Sequence, residues 1–376
     1  MKNVLLFGYY GDRNLGDEAL LQGILTSFKK RNPELNVTVL SKNPKETTKR
    51  FDVQSSYAPR TKKYMGNFLK EIRRTDLFVL GGGGLIQDFI GIKQLIYWVS
   101  SLLIAKSMGK KTMLYSIGVG PLSTPSSRRC AKFFLKFADV ITVRDIESKE
   151  LLNSIGIKKD KVIVTADPAF VLEEKEKINE QSRNFSKNQT IAISFLPYYN
   201  IVNSPQKEEE LEKIFIEFIN YILEEYNYNI LLLPLHNLKG ESHDLGAAKR
   251  ILKKVDKRER VSLYEEDLTP SDALTLLEEC RLMVGMRLHS LILSGVISLP
   301  FIGIDYHPKV GSFIKLVKQE KYSMKVEEVS LQLLKSQFEK LEGNITLETG
   351  NIEKEMLKLK TRSLETQEYV KKLLDK

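Results

Sequence analysis

Short apolar runs alternate with longer amphipathic stretches along the first 170 residues. Val4-Leu5-Leu6-Phe7 predicts a strand that stops at Gly8. Over 17–30 the apolar residues Ala19, Leu20, Leu21, Ile24, Leu25 and Phe28 recur at helical spacing. Further strands are predicted at 37–40, 77–80, 112–116, 140–143 and 162–165, with helical patterns between them. A polar loop carrying Lys42, Lys45, Lys49 and Arg50 is expected after the second strand. Residues 172–189 are polar and lack an apolar face, which predicts an interdomain linker. A second series then predicts strands at 191–195, 230–233, 282–284 and 301–303, and helices near 207–226, 243–255, 271–279, 289–295 and 309–318. Thr269 is expected to N-cap the helix near 271, with Pro270 in its first position and Asp272 three residues past the cap. A charged amphipathic helix is expected over 350–375. Repeated strand–helix alternation predicts an α/β protein of two doubly wound, Rossmann-like domains facing across a cleft. The expected divisions are 1–171, linker 172–189, 190–348 and a C-terminal helix 349–376.

Composition narrows the classes. At about 150 residues per domain, 376 residues suit two domains. Apolar residues at 42% and charged ones at 28% exclude wholesale disorder. No apolar run approaches the roughly 18 residues of a membrane-spanning helix, and the first residues carry no signal-peptide pattern. A cytoplasmic location is expected. Cys130 and Cys280 lie too far apart in sequence for a disulfide framework or a paired-cysteine zinc site.

Charge adds one asymmetry. Residues 1–150 carry 25 Lys and Arg against 13 Asp and Glu, while residues 151–376 carry 33 against 35. A basic half can face nucleic acid, an anionic membrane surface or an anionic substrate. Nucleic acid is not expected, because no recognition motif or aromatic–basic interleaving accompanies the excess. Basic clusters at 42–50, 60–63 and 128–136 are candidates for peripheral contact with the inner face of the cell membrane.

In open parallel sheets, ligands bind outside the carboxyl ends of the strands. The unusual loops lie at such ends. After the first predicted strand comes Gly8-Tyr9-Tyr10-Gly11-Asp12-Arg13-Asn14-Leu15-Gly16-Asp17-Glu18. Its glycines permit close approach of a ligand, but Asp17 stands where a P-loop needs lysine. Gly81-Gly82-Gly83-Gly84 follows the third strand and leads to Gln87 and Asp88. Such a run can expose backbone N–H groups to a ligand. Gly285-Met286-Arg287-Leu288-His289-Ser290 joins a strand to a helix and holds the best placed of four histidines. Lys309, in Asp305-Tyr306-His307-Pro308-Lys309, is expected to open a helix, and Arg144 follows a strand directly. Arg144, Arg287, His289 and Lys309 together suit a small ligand with several negative charges. No metal is expected, since no His pair or Asp cluster has ligand spacing. The absence of G-x-S-x-G argues against a serine hydrolase of that class.

The ordered set GYYGDRNLGDEA, LGGGGLIQD, ADP at 166–168, GMRLHS at 285–290 and Pro308-Lys309 resembles the polysaccharide pyruvyl transferases, especially the cell-surface-anchoring CsaB-type members. The resemblance covers roughly residues 3–318. It implies a glycosyltransferase-B-like fold and transfer of a pyruvyl group from phosphoenolpyruvate, a co-substrate, with no cofactor. The implied acceptor is N-acetylmannosamine in a lipid-linked cell-wall polymer precursor, and the product is a pyruvate ketal that anchors S-layer proteins. Arg144, His289 and Lys309 match the positions expected to hold the donor, with Arg287 and Gly285 beside them. His289 is the first candidate for general acid, because imidazole titrates near neutral pH. Asp12, Asn14, Asp17, Gly82, Gly83, Gln87 and Asp88 are then expected on the acceptor side. One position departs from the pattern. The family leads one to expect an acidic residue before the Pro-Lys pair, and here it is His307. Either that acidic role is absent or Asp305 supplies it. Two other readings stand beside this one. One is a nucleotide-sugar glycosyltransferase of the same fold, with Glu265 or Glu266 on the ribose; the other is a non-enzymatic scaffold for glycan assembly.

Overall fold

The structure is a computed structural model that describes residues 1–59, 61–173, 189–236 and 243–375. Most of the expected linker, 174–188, lies outside the described residues. The chain divides into two compact units. Met1–Asp12, Asp17–Leu172 and Leu359–Lys376 form the first; Arg13–Gly16 and Glu173–Lys358 form the second.

The first unit holds seven parallel strands: β1 (Asn3–Phe7), β2 (Asn36–Ser41), β3 (Gln54–Tyr57), β4 (Leu77–Gly81), β5 (Lys111–Ile117), β6 (Val140–Val143) and β7 (Val162–Val164). Their order is β3-β2-β1-β4-β5-β6-β7. Helices α1 (Leu15–Arg31), α2 (Pro44–Phe51), α3 (Met65–Arg74), α4 (Ile92–Ser107), α5 (Pro125–Leu135) and α6 (Ile146–Ser154) connect them. Successive side chains of β1 serve opposite faces. Val4 and Leu6 pack with Leu21, Ile24 and Phe28, whereas Leu5 and Phe7 pack with Phe68, Phe78 and Trp98. A strand covered on both faces must be apolar at every position, which is why β1 and β4 read as unbroken apolar runs. Each fully buried Leu or Phe contributes roughly 1.5–3 kcal/mol.

The second unit holds six parallel strands, β8 (Thr190–Ser194), β9 (Asn229–Leu232), β10 (Val261–Leu263), β11 (Cys280–Gly285), β12 (Phe301–Asp305) and β13 (Ser323–Lys325), ordered β10-β9-β8-β11-β12-β13. Its helices are α7 (Tyr198–Ile201), α8 (Pro205–Glu225), α9 (Asp244–Lys254), α10 (Pro270–Glu278), α11 (Leu288–Val296), α12 (Pro308–Leu316) and α13 (Leu331–Glu342). The last helix, α14 (Ile345–Leu374), belongs to the second unit up to Lys358 and to the first from Leu359. The expected cap of α10 is present as a reciprocal pair: Asp272 N–H donates to Thr269 Oγ1 and Thr269 N–H donates to Asp272 Oδ2.

Several elements differ from the sequence expectation. β3, β10 and β13 were not predicted, and all three are sheet edges. The expected polar loop after β2 contains α2 instead. Pro44 pre-sets its first turn, and an i,i+4 pair of Glu46 and Arg50 at 2.7 Å supports it without an apolar stripe.

Both strand orders reverse direction once. The switch lies between β1 and β4 in the first sheet and between β8 and β11 in the second. Such points are where doubly wound sheets take ligands.

Candidate active site

The loops after β1 and β4 flank the switch point of the first sheet. Tyr10, fully buried, donates from its hydroxyl to Gly81 O at 2.5 Å and so ties the two loops together. Gly11 has φ +75°, and its N–H donates to Glu18 Oε1 at 2.8 Å. Asp12 is buried and ion-paired with Lys42. Gly82 and Gly83 have φ +71° and +74°, the left-handed region that disfavours any side chain. Gly82 N–H is already donated to Tyr115 O at 3.0 Å, so the glycine run serves chain path as well as access. A Cβ on Gly83 would lie 3.3 Å from Asp17 Oδ1, which places the Asp17 carboxylate directly over this glycine. Gln87 is half-buried, with its amide near Gly84.

Asp88 holds the loop before α5: its Oδ2 accepts from Ser123 N–H at 2.8 Å and Thr124 N–H at 3.0 Å. Burial alone would raise its pKa. These backbone bonds and the Ser127 and Ser123 hydroxyls outweigh it and hold the carboxyl below its ordinary value.

Arg144 follows β6 and is nearly buried. Its Nη1 reaches Asp167 Oδ2 at 3.0 Å and its Nε reaches Asp145 Oδ2 at 3.3 Å. Burial disfavours the charge, but Asp167 and Asp145 more than offset this and raise the guanidinium pKa. Gly118 leaves room for this group, since a Cβ there would lie 2.9 Å from Arg144 Nε. Asp145 also N-caps α6, accepting from Ser148 N–H at 2.7 Å. Asp167, the middle residue of the ADP motif, accepts from Ala169 N–H at 3.0 Å. The sequence reading assigns Arg144 to the donor and does not include either ion pair.

The second unit contains the other group of cations. Gly285 ends β11, and a Cβ on it would come within 2.6 Å of Ser290 Oγ and Leu291 Cδ2. Glycine there lets the strand turn tightly into α11. Arg287 is held by Asp244, which is fully buried: Nε to Oδ2 at 2.9 Å and Nη2 to Oδ1 at 2.5 Å. A bidentate fork of this kind fixes the guanidinium plane. His289, in the first turn of α11, seats its ring on Gly16. A Cβ on Gly16 would fall 2.3 Å from His289 Nδ1. Asn14 shapes the same segment, accepting from Gly16 N–H at 3.0 Å as an N-cap does. Leu15 N–H donates to Leu235 O at 3.1 Å, and Arg13 pairs with Asp267 at 3.3 Å.

Next to β11 in the sheet is β12, and α12 follows it. Lys309 is exposed in the first turn of α12. His307 is its N-cap: Nδ1 accepts from Lys309 N–H at 3.3 Å, which requires the ring proton to sit on Nε2. Asp305 is ion-paired with Lys325 and accepts from His307 N–H at 3.2 Å. Glu265, one of the two carboxylates proposed for a ribose, is paired with Lys249 at 2.5 Å. The structure therefore gathers Gly285, Arg287, His289 and Lys309 at the ends of two adjacent strands of one sheet. It gathers Asp17, Gly82, Gly83 and Gln87 at the switch point of the other. Asp244 was the residue the sequence did not announce, because it lies 43 positions from the arginine it holds.

The sequence model of the polysaccharide pyruvyl transferases matches residues 14–308. The chain belongs to the polysaccharide pyruvyl transferase family. It is also similar to the amylovoran biosynthesis protein AmsJ of Erwinia amylovora, at 24% identity over 358 residues, covering 81% of this chain and 84% of that one. Among solved structures it resembles the UDP-GlcNAc 2-epimerase of Neisseria meningitidis bound to UDP-GlcNAc, with TM-score 0.65, 15% identity and full coverage of both chains. It likewise resembles Anabaena Alr3699/HepE in complex with UDP-glucose, with TM-score 0.65, 12% identity and full coverage of both. At these identities the likeness shows the fold alone, and that fold is glycosyltransferase-B-like, as the family resemblance implied.

Proposed function

We propose that the chain transfers the pyruvyl group of phosphoenolpyruvate to a sugar, N-acetylmannosamine, of a lipid-linked cell-surface polysaccharide precursor. The observation that carries this reading is the grouping of Arg287, His289 and Lys309 at the carboxyl ends of adjacent strands β11 and β12. Phosphoenolpyruvate has a carboxylate and a phosphate on three carbons, and a fixed guanidinium with a lysine ammonium meets both groups. Family membership supports the pyruvyl chemistry, and the similarity to an amylovoran biosynthesis protein supports a polysaccharide acceptor.

In this mechanism His289 donates a proton to the methylene carbon, leaving an oxocarbenium-like centre at the neighbouring carbon. One sugar hydroxyl adds there and loses its proton. The carbon–oxygen bond to phosphate breaks while the cations hold the leaving group, and a second hydroxyl closes the ketal. The protons lost by the two hydroxyls balance the one placed on carbon and the one taken by phosphate. The buried Asp244 keeps Arg287 oriented, and Gly16 supports the imidazole plane. Arg144, in the first unit, keeps its sequence assignment to the donor, and Asp145 and Asp167 fix its orientation. The acceptor is assigned to Asp12, Asn14, Asp17, Gln87, Asp88 and the space left by Gly82 and Gly83. Asn14 and Asp88 act there by shaping their loops. The reaction is placed in the cytoplasm, where phosphoenolpyruvate is available.

Ligand-dependent melting separates this from a nucleotide-sugar glycosyltransferase. At a hundredfold excess over Kd a ligand stabilises by about 2.7 kcal/mol, so phosphoenolpyruvate should raise Tm clearly and UDP should not. Stabilisation by UDP with none from phosphoenolpyruvate would overturn the proposal.

A further inference from the structure

From Phe89 to Ala138 the chain contains eight Lys and Arg and not one Asp or Glu. This segment builds α4, β5 and α5 of the first unit, and α4 packs against α5. The turn before α4 is fixed to the start of α5 by Asp88, which accepts from Ser123 and Thr124 N–H. At the tip of that turn Phe89 is 64% exposed and Ile90 72%. Ile96 on α4 is 41% exposed and Phe133 on α5 is 48% exposed. On α5, Arg128, Arg129 and Lys132 are exposed, and the exposed Lys136 just after it has its Nζ 4.3 Å over the Phe133 ring.

Ordinary soluble surfaces mix charge signs and scatter their apolar residues. Here large apolar side chains protrude from a turn and two helices amid cations; Lys106 pairs with Asp139 just past the segment, and the segment itself holds no carboxylate. Protruding side chains fit a deformable interface, and an unbalanced positive field fits one of negative charge. We propose that the α4–α5 face docks on an anionic lipid bilayer. Phe89 and Ile90 enter the headgroup layer and the α5 cations meet lipid phosphates. No helix among the described residues is long and apolar enough to cross a membrane, so the contact is interfacial. The cluster at 42–50 belongs to α2 and the residues before it, outside this segment, and Arg60 of the cluster at 60–63 lies outside the described residues. The inference is independent of donor and acceptor, and its test does not use catalysis.

The test is co-sedimentation of the whole chain with phosphatidylcholine vesicles and with mixed phosphatidylcholine–phosphatidylglycerol vesicles. The expected result is binding to the mixed vesicles that weakens as salt is added, and little binding to phosphatidylcholine alone. Phe89→Ser with Ile90→Ser, and separately Arg128→Glu with Arg129→Glu, should each lower partitioning by about tenfold or more. Lys45→Glu with Lys49→Glu changes net charge equally at exposed positions of α2 and should stay within about twofold of wild type. Thermal melts confirm that each variant is folded, and Arg128→Gln with Arg129→Gln replaces the reversal if it is not. Unchanged binding by both face variants, an equal loss in the Lys45/Lys49 variant, or a protein dimer that the face variants dissociate would overturn the proposal.

Discussion

A methyl group added at Gly16 would meet the His289 ring at 2.3 Å, closer than any real contact. The space glycine leaves there is thus part of how the imidazole is placed. Gly16→Ala should displace the ring and lower kcat on the order of 100-fold, the cost of misplacing a reacting group by about 1 Å. A double-mutant cycle isolates the cause. Gly16→Ala should destabilise the wild-type chain but have little effect in a His289→Ala background, read by urea unfolding. Equal destabilisation in both backgrounds would break the link. Asp244 supports a second prediction at this scale. Asp244→Asn keeps the shape but removes the charge facing Arg287, so stability should fall by about 2–3 kcal/mol. KM for phosphoenolpyruvate should rise as the guanidinium loses its fixed plane, measured by initial-rate kinetics. Residue-scale chemistry was only partly legible in the sequence. His289 and Lys309 stood out because glycine-rich or proline-marked loops follow apolar runs. That Arg144 is held by Asp167, and that Asp88 pins a loop, depends on residues 23 and 35 positions apart that the fold brings together.

At the scale of elements, the interior strands were readable and three of the edges were not. β1, β4 and β11 are buried on both faces and so appear as apolar runs, whereas β3 reads Gln-Ser-Ser-Tyr and is half exposed. Such an edge is held by its ladder to β2 rather than by its own burial. The end of α14 shows the same limit. Its helical periodicity and the apolar Val370 and Leu373 that join the core of the first unit are visible, yet its seat there also includes a buried polar network. Gln367 Nε2 donates to Tyr115 Oη at 2.6 Å, Asn32 Nδ2 donates to Gln367 Oε1 at 2.7 Å, and Ser116 Oγ lies 3.1 Å from Thr366 Oγ1. Burial pushes the Tyr115 hydroxyl pKa up, so it stays protonated throughout the working range. Gln367→Ala should leave buried Tyr115 and Asn32 groups unsatisfied and cost about 1–3 kcal/mol by urea unfolding. A loss below a few tenths of a kcal/mol would mean that water replaces the amide without penalty.

For the whole molecule, stability against acid follows from the carboxylates. Asp88 and Asp139 are opposed by burial, but hydrogen bonds from Ser123 and Thr124 in one case and from Lys106 and Thr112 in the other hold both below the ordinary 3.8. Glu348 is lowered against its burial by Lys321 and Gln319, and Glu355 by Lys318 and Lys358, both below the ordinary 4.5. Groups with lowered folded values stabilise fully above their unfolded pKa and lose that contribution as pH falls through the folded one. Glu208, raised by burial, works in the opposite sense. Among the described residues, four lowered carboxyls against one raised predict a Tm that is flat from neutral pH to about pH 5 and falls below about pH 4. Scanning calorimetry across that range checks it.

Transfer of the pyruvyl group is read most directly in the product. The whole chain is incubated with phosphoenolpyruvate and a panel of aryl and lipid-linked N-acetylmannosamine, galactose and glucose derivatives. Released phosphate is counted against the modified sugar by mass spectrometry. One phosphate should be released for each pyruvate ketal formed, with N-acetylmannosamine preferred and both signals abolished by His289→Ala. Glycosyl transfer from a UDP-sugar with phosphoenolpyruvate inert, or ketal formation at wild-type rate by His289→Ala, would contradict it.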